Sequence, residues 1–251
     1  EIGVRLVGSE MCIRDRVEYY QSIRKISKNY GGRKSNNSLS PAKMRKANKL
    51  RAVKHMQRLI NANFGSGDFF CRFSAPYGTY ESEKEFRAEV GKWLDRINYR
   101  LKKQGKGRLK YIAFIECGKS GKNWHIHIIV SKEDRELLSE QWPYENGQNF
   151  TPLYKNENFK KLAEYITKDL TGKEDVDAAQ KRMMTSRNLK KPESVTRKAK
   201  KREIRALERG EMIEPPEGHY LIEDDYSMNY SDIGGAKWYF CFLPITQRRK
   251  W

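Results

Sequence analysis

The chain has 251 residues, enough for one substantial domain with appendages or for two small ones. It carries 51 Lys+Arg against 32 Asp+Glu, a formal net charge of +19, with 37% hydrophobic residues, which points to a polyanionic partner, above all nucleic acid. No apolar run approaches the roughly 20 residues that span a bilayer, and the scattered Cys12, Cys71, Cys117 and Cys241 argue against a zinc ribbon or disulfide framework and suit a reducing cytoplasm.

Residues 6–16 resemble a translated sequencing adapter, so 1–16 are set aside from fold reasoning and the natural amino terminus is expected to be missing. Residues 17–40, basic and rich in Gly, Ser and Asn, read as a flexible solvated arm. Ser40-Pro41 has the form of an N-cap followed by proline in the first turn, opening a basic helix to about residue 62. Phe69 to Ser74 is a strand. Phe86, Val90, Trp93, Leu94, Ile97 and Leu101 recur at three and four residues, the stripe of a long amphipathic helix that Gly105-Lys106-Gly107 stops. Leu109–Glu116 and the strand beginning near Asn123 are joined by a short glycine-rich turn, an antiparallel hairpin. A helix is expected over 158–170, a strand over 181–189, a very basic helix over 193–209, and closing strands over 219–226 and 236–243. The pattern is α+β, a central antiparallel β-sheet with flanking helices. The expected division is 1–16, the arm 17–40, the helix 41–63 and one domain over 64–251.

His125 and His127 hold two of the chain's four histidines, and alternation along a strand points both imidazoles to one face. Glu116, ending the partner strand, can reach that face across the hairpin. Two imidazoles and a carboxylate with open positions suit Mg²⁺ or Mn²⁺, with zinc as the competing ion. By itself the pattern also describes polar side chains on the wet face of a strand, with Glu116 an edge charge. Tyr165 flanks the apolar stripe of the 158–170 helix, and Lys168 lies three residues on along the same side. A neighbouring ammonium or metal favours the phenolate, the form in which tyrosine is a nucleophile. Taken alone, the pair equally describes an amphipathic core tyrosine beside a solvated lysine.

The His-Ile-His strand, Glu116 before it, and Tyr165-Ile166-Thr167-Lys168 about forty residues later resemble the HUH endonuclease superfamily. They look most like the single-tyrosine replication initiators (Rep proteins) of rolling-circle plasmids and phages. Phe69–Ser74 stands in place of the family's first strand motif in diverged form, and Thr185 to Pro192 resembles a segment of plasmid replication proteins. The resemblance covers residues 64–192. It implies a ferredoxin-like, RRM-like sheet and a metal ion, Mg²⁺ or Mn²⁺, on His125, His127 and Glu116. It also implies that Tyr165 attacks single-stranded origin DNA to leave a 5′-phosphotyrosine, with Lys168 positioning the phosphate. Without a phosphate-binding helicase motif, the chain would rely on a helicase and polymerase of its bacterial host. Arg72, Arg187, Asn188 and, on the 193–209 helix, Lys198, Lys201 and Arg202 are candidate DNA contacts, as is the 41–62 helix. A conjugative relaxase, a single-tyrosine transposase and a nucleic-acid-binding module that never cuts are the competing readings.

Overall fold

A computed structural model describes residues 2–7, 15–21, 41–118, 120–154, 159–168, 183–192, 194–221, 226–231 and 235–245. The chain divides into two compact units, Ala42–Lys190 and a second built from Glu1–Pro41 with Lys191–Trp251, a boundary that cuts across the 64–251 domain expected above. Among the described residues no helix is long and apolar enough to cross a membrane.

The Ala42–Lys190 unit is α+β, with an antiparallel five-stranded sheet between helices. In chain order its elements are α1 (Pro41–Asn63), β3 (Phe69–Ser74), α2 (Glu83–Lys103), β4 (Tyr111–Cys117), β5 (Trp124–Val130), α3 (Arg135–Gln141), β6 (Gln148–Pro152), α4 (Lys160–Ile166) and β7 (Met183–Thr185). The strand order is β6-β3-β5-β4-β7. Central β5 is buried at every position, as its unbroken run of large residues requires. On one face Cys71, Phe73, Ala113, Ile115, Ile126 and Ile128 pack against Phe86, Val90, Trp93 and Ile97 of α2. Trp93 is fully buried, and its indole N–H donates to the Leu138 carbonyl at 3.2 Å, tying α2 to α3. On the other face Ile112, Phe114 and Ile129 meet Val53, Met56 and Ile60 of α1 and Phe159, Ala163 and Ile166 around α4.

α2 forms where its stripe predicts, because its ends agree with it. The Ser82 hydroxyl accepts from the Glu85 amide at 3.3 Å, Glu83 and Glu85 lie in the first turn, and Arg100, Lys102 and Lys103 in the last. Left-handed Gly105 closes it, with the amides of Gly105 and Lys106 returning to the carbonyls of Lys102 and Leu101.

Several expectations need correction. Within the segment read as a solvated arm, Asp15–Gln21 is a strand (β2), paired with β1 (Ile2–Val7) in the part set aside; residues 22–40 lie outside the described ones. The basic stretch expected to be helical from 193 begins as strand β8 (Ser194–Lys198), because its Ser-Val-Thr run is β-favouring and β1 offers it an antiparallel edge. Only α5 (Lys201–Glu208) is helix. α4 is shorter than 158–170: Phe159 takes a left-handed φ of 54° just before it, and residues 158, 169 and 170 lie outside the described ones. The strand expected over 181–189 is Met183–Thr185, with 181–182 undescribed. α3 and β6 have no counterpart among the expected elements: each is short, and β6 alternates only weakly.

The second unit is a six-stranded antiparallel sheet. Besides β1, β2 and β8 it holds β9 (His219–Leu221), β10 (Ser227–Ser231) and β11 (Gly235–Pro244); residues 222–225 of the expected 219–226 strand are undescribed. Trp238, Phe240 and Phe242 form its core with Tyr19 and Leu207. Arg197 grips both oxygens of Glu203 at 2.5 and 2.9 Å, and Tyr19 donates to the same carboxylate at 3.1 Å.

Gly147 has φ +84°, and a Cβ there would lie 3.0 Å from Ser74 Cβ and 3.1 Å from its carbonyl oxygen. Its own carbonyl accepts from the Ser74 amide at 2.9 Å, securing the start of β6 to the end of β3. Gly147→Ala is expected to cost about 1–3 kcal/mol of unfolding free energy in denaturant titrations. Gly107→Ala, with open space at the Cβ position, is the comparison and should be near neutral.

Candidate metal and nucleophile site

Strand register builds the site. Glu116 stands directly opposite His125, and Phe114 opposite His127. On the other side of β5, Ser74 is opposite His125, Arg72 opposite His127 and Phe70 opposite Ile129. Side chains two apart share a face, so this face grades from apolar (Ile112, Ile129, Phe70) through Phe114 and His127 to polar (Glu116, His125). The register is held at the turn, where the Gly118 amide donates to the Asn123 carbonyl at 2.9 Å.

Glu116 Oε2 lies 3.2 Å from His125 Nε2 and 2.9 Å from His127 Nε2. These three ligand atoms all fall within 4.8 Å of one another. Both histidines are buried, and the Glu116 side chain is 11% exposed. His125 Nδ1 is 3.2 Å from the Asn123 carbonyl. If Nδ1 carries the proton, that contact leaves the Nε2 lone pair facing a carboxylate oxygen, an arrangement that calls for a cation between them. The mixed imidazole–carboxylate set therefore fits a divalent ion. His127 differs: its Nδ1 is buried with no hydrogen-bond partner among the described residues. Its ring is held by packing instead, nearly parallel to Phe70 and Phe114 at centroid distances of 5.2 and 4.8 Å.

Tyr165, on the last turn of α4, donates to Glu116 Oε2 at 3.2 Å and lies 3.2 Å from His127 Nε2. Its ring stands edge-on to Phe70, Phe114 and His127, while the side chain remains partly exposed. α4 ends at Ile166, yet the spacing still serves. Lys168 Nζ sits 4.1 Å over the Tyr165 ring and 2.7 Å from Glu116 Oε1.

Burial alone would raise the Glu116 carboxyl, but hydrogen bonds from His125, His127 and Lys168 outweigh it and hold the group far below the usual carboxylate range. Burial lowers His127, against the opposing pull of Glu116. Burial and then the Glu116 charge raise the Tyr165 phenol, with Lys168 pulling the other way. Here the hydroxyl is held protonated, with Glu116 as acceptor.

The structure thus brings Glu116, His125, His127, Tyr165 and Lys168 together and sets Arg72 beside them, its Nε buried without a hydrogen-bond partner among the described residues. It does not bring Arg187 and Asn188 to this group. β7 pairs Thr185 with Ile112, so both lie past Tyr111, about 17 Å along β4 from Glu116. The Asn188 amide donates to the Arg108 carbonyl at 2.8 Å, and Arg187 is exposed. Lys198, Lys201 and Arg202 belong to the other unit, where Arg202 pairs with Glu214 at 2.6 Å. Sequence reasoning missed Phe70, Phe114 and the Asn123 carbonyl. The first two follow from period two once the register is known, but a backbone acceptor leaves no sequence signal.

Residues 78–175 match the family model of the replication-associated protein ORF2. No curated protein and no solved structure matches the chain.

A carboxyl depressed in the folded state stabilises the fold above its unfolded pKa of about 4.3, and that stabilisation is lost as pH falls toward the folded value. At pH 7 we expect Glu116→Gln to cost about 1–3 kcal/mol, with the gap to the parent narrowing below about pH 4. A gap that stays constant down to acid pH in paired thermal melts would contradict the ionic role.

Proposed function

Because residues 78–175 match the replication-associated protein ORF2 family, we propose that this chain nicks and rejoins single-stranded DNA at a replication origin, starting rolling-circle replication of a plasmid or phage. The observation that carries this reading is the Tyr165 hydroxyl lying 3.2 Å from both Glu116 Oε2 and His127 Nε2, on a partly exposed rim. A nucleophile, a cation-ready donor set and solvent access coincide at one point.

In this reading the Tyr165 oxygen attacks the scissile phosphorus in line. The new P–O bond to tyrosine forms as the P–O3′ bond breaks, leaving a 5′-phosphotyrosine and a free 3′-hydroxyl that a host polymerase extends. The phenol proton has its nearest acceptor in Glu116 Oε2, so deprotonation accompanies attack rather than preceding it. Edge-on packing against Phe70, Phe114 and His127 limits the ring to a narrow range of approach, which lowers the entropic cost of alignment. His125, His127 and Glu116 would hold Mg²⁺ or Mn²⁺, which supplies Lewis-acid polarisation of the phosphate when bound. Lys168 and Arg72 supply positive charge toward the phosphate, and attack of the 3′-hydroxyl on the phosphotyrosine reverses the step. The exposed, basic outer side of α1, with Lys49, Arg51 and Lys54, would follow the DNA backbone.

Incubated with Mn²⁺ and a random-sequence pool of single-stranded oligonucleotides, the protein is expected to form an adduct that survives denaturing electrophoresis. Tyr165→Phe should reduce the adduct by at least about a thousandfold. His125→Ala should reduce it by about 10–100-fold, as should chelation of the metal. An adduct undiminished in Tyr165→Phe removes Tyr165 as nucleophile. Retained binding without cleavage of any strand favours a module that never cuts.

A further inference from the structure

The two oxygens of Glu116 are divided. Oε2 faces His125, His127 and the Tyr165 hydroxyl, and Oε1 takes the Lys168 ammonium at 2.7 Å. The carboxylate is 11% exposed and the lysine side chain 44%, so the pair lies at the boundary between the buried cluster and solvent. Lys168 is fixed from two directions, by charge on Oε1 and by the Tyr165 ring face 4.1 Å from Nζ.

We infer that Lys168 is a built-in counter-cation that competes with a divalent ion for Glu116 and so holds the metal affinity of this site low. The inference rests on the metal reading given under Proposed function and concerns what sets its strength. With neutral imidazoles the ligand group has one formal negative charge, that of Glu116, and the lysine already neutralises it. A cationic donor also withdraws electron density from a ligating carboxylate. That is the reverse of a backbone carbonyl accepting from a ligating histidine, as Asn123 is placed to do for His125. Both effects have the same sign. Repulsion between an ammonium and a dication a few ångströms apart, at the partly solvated dielectric of this rim, changes affinity by on the order of tenfold. The lysine's long stem and exposure let it leave Oε1 for a phosphate oxygen without disturbing the strands.

The test is Mn²⁺ binding by the full chain without DNA, followed through the electron paramagnetic resonance signal of free Mn²⁺. Lys168→Met keeps the length and apolar stem and removes the charge. It is expected to bind Mn²⁺ about tenfold more tightly than the parent, while Lys168→Arg binds like the parent. Glu116→Gln should abolish binding in either background. Unchanged or weaker binding in Lys168→Met overturns the inference, since a lysine that merely positions the carboxylate would weaken the site when removed. If only Lys168→Met binds Mn²⁺ measurably, competition is supported in its strongest form. If neither the parent nor Lys168→Met binds, the metal reading itself fails and the inference with it.

Discussion

The pairing of Glu116 with His125 across the β4–β5 hairpin is the constraint on which the rest of the site depends. Side chains alternate along a strand, so a slip of one residue in that register would turn Glu116 away from both histidines and bury it among the apolar side chains facing α2. The six-residue connection prevents this, with Gly121 at φ +75° and the Gly118 amide tied to the Asn123 carbonyl. A backbone bond at a turn therefore fixes the position of a carboxylate. The same Asn123 carbonyl also meets His125 Nδ1, so the element that sets the register also orients the ring.

Burying a carboxylate and two imidazoles on a sheet face is costly unless each finds partners. The fold meets this by grading that face along the strands. At one end Ile112, Ile129 and Phe70 belong to the core beneath α1 and α4. At the other, Glu116 receives hydrogen bonds from two histidines, a tyrosine and a lysine. Phe114 and Phe70 stand at the boundary, where they serve as core for Val53 and Met56 and as walls for His127 and Tyr165. The apolar packing that stabilises the sheet thus also restricts the reactive side chains, and rigidity of the core becomes rigidity of the site.

The second unit follows a similar rule with different residues. There a buried Tyr19 hydroxyl is satisfied by Glu203, whose charge is in turn held by both arms of Arg197. That closed network gives β8 and α5 a common anchor at the point where the sequence, uniformly basic, suggested one continuous helix. The basic residues of this stretch are therefore not equivalent. Arg197 is committed to the fold, whereas Lys201 and Arg205 are exposed.

Periodicity alone determined α1, β3, α2 and the β4–β5 hairpin, because in each the apolar spacing, the turn residues and the end signals agree. It also placed His125 and His127 on one face, since strand alternation is a local property. Chemistry-bearing residue types and their spacing gave Tyr165 and Lys168, and the distances of 3.2 and 2.7 Å to Glu116 show that they meet the hairpin. What only the tertiary structure decided was everything set by partners distant in the chain. β8 is a strand because β1 offers it an edge, and Asn188 is turned to the Arg108 carbonyl rather than to the site. His127 is fixed by Phe70 and Phe114 from two other strands, and Glu116 divides its oxygens between a histidine pair and a lysine. A sequence carries the period of each element, but hydrogen-bond partners and cross-strand neighbours exist only once the sheet has closed.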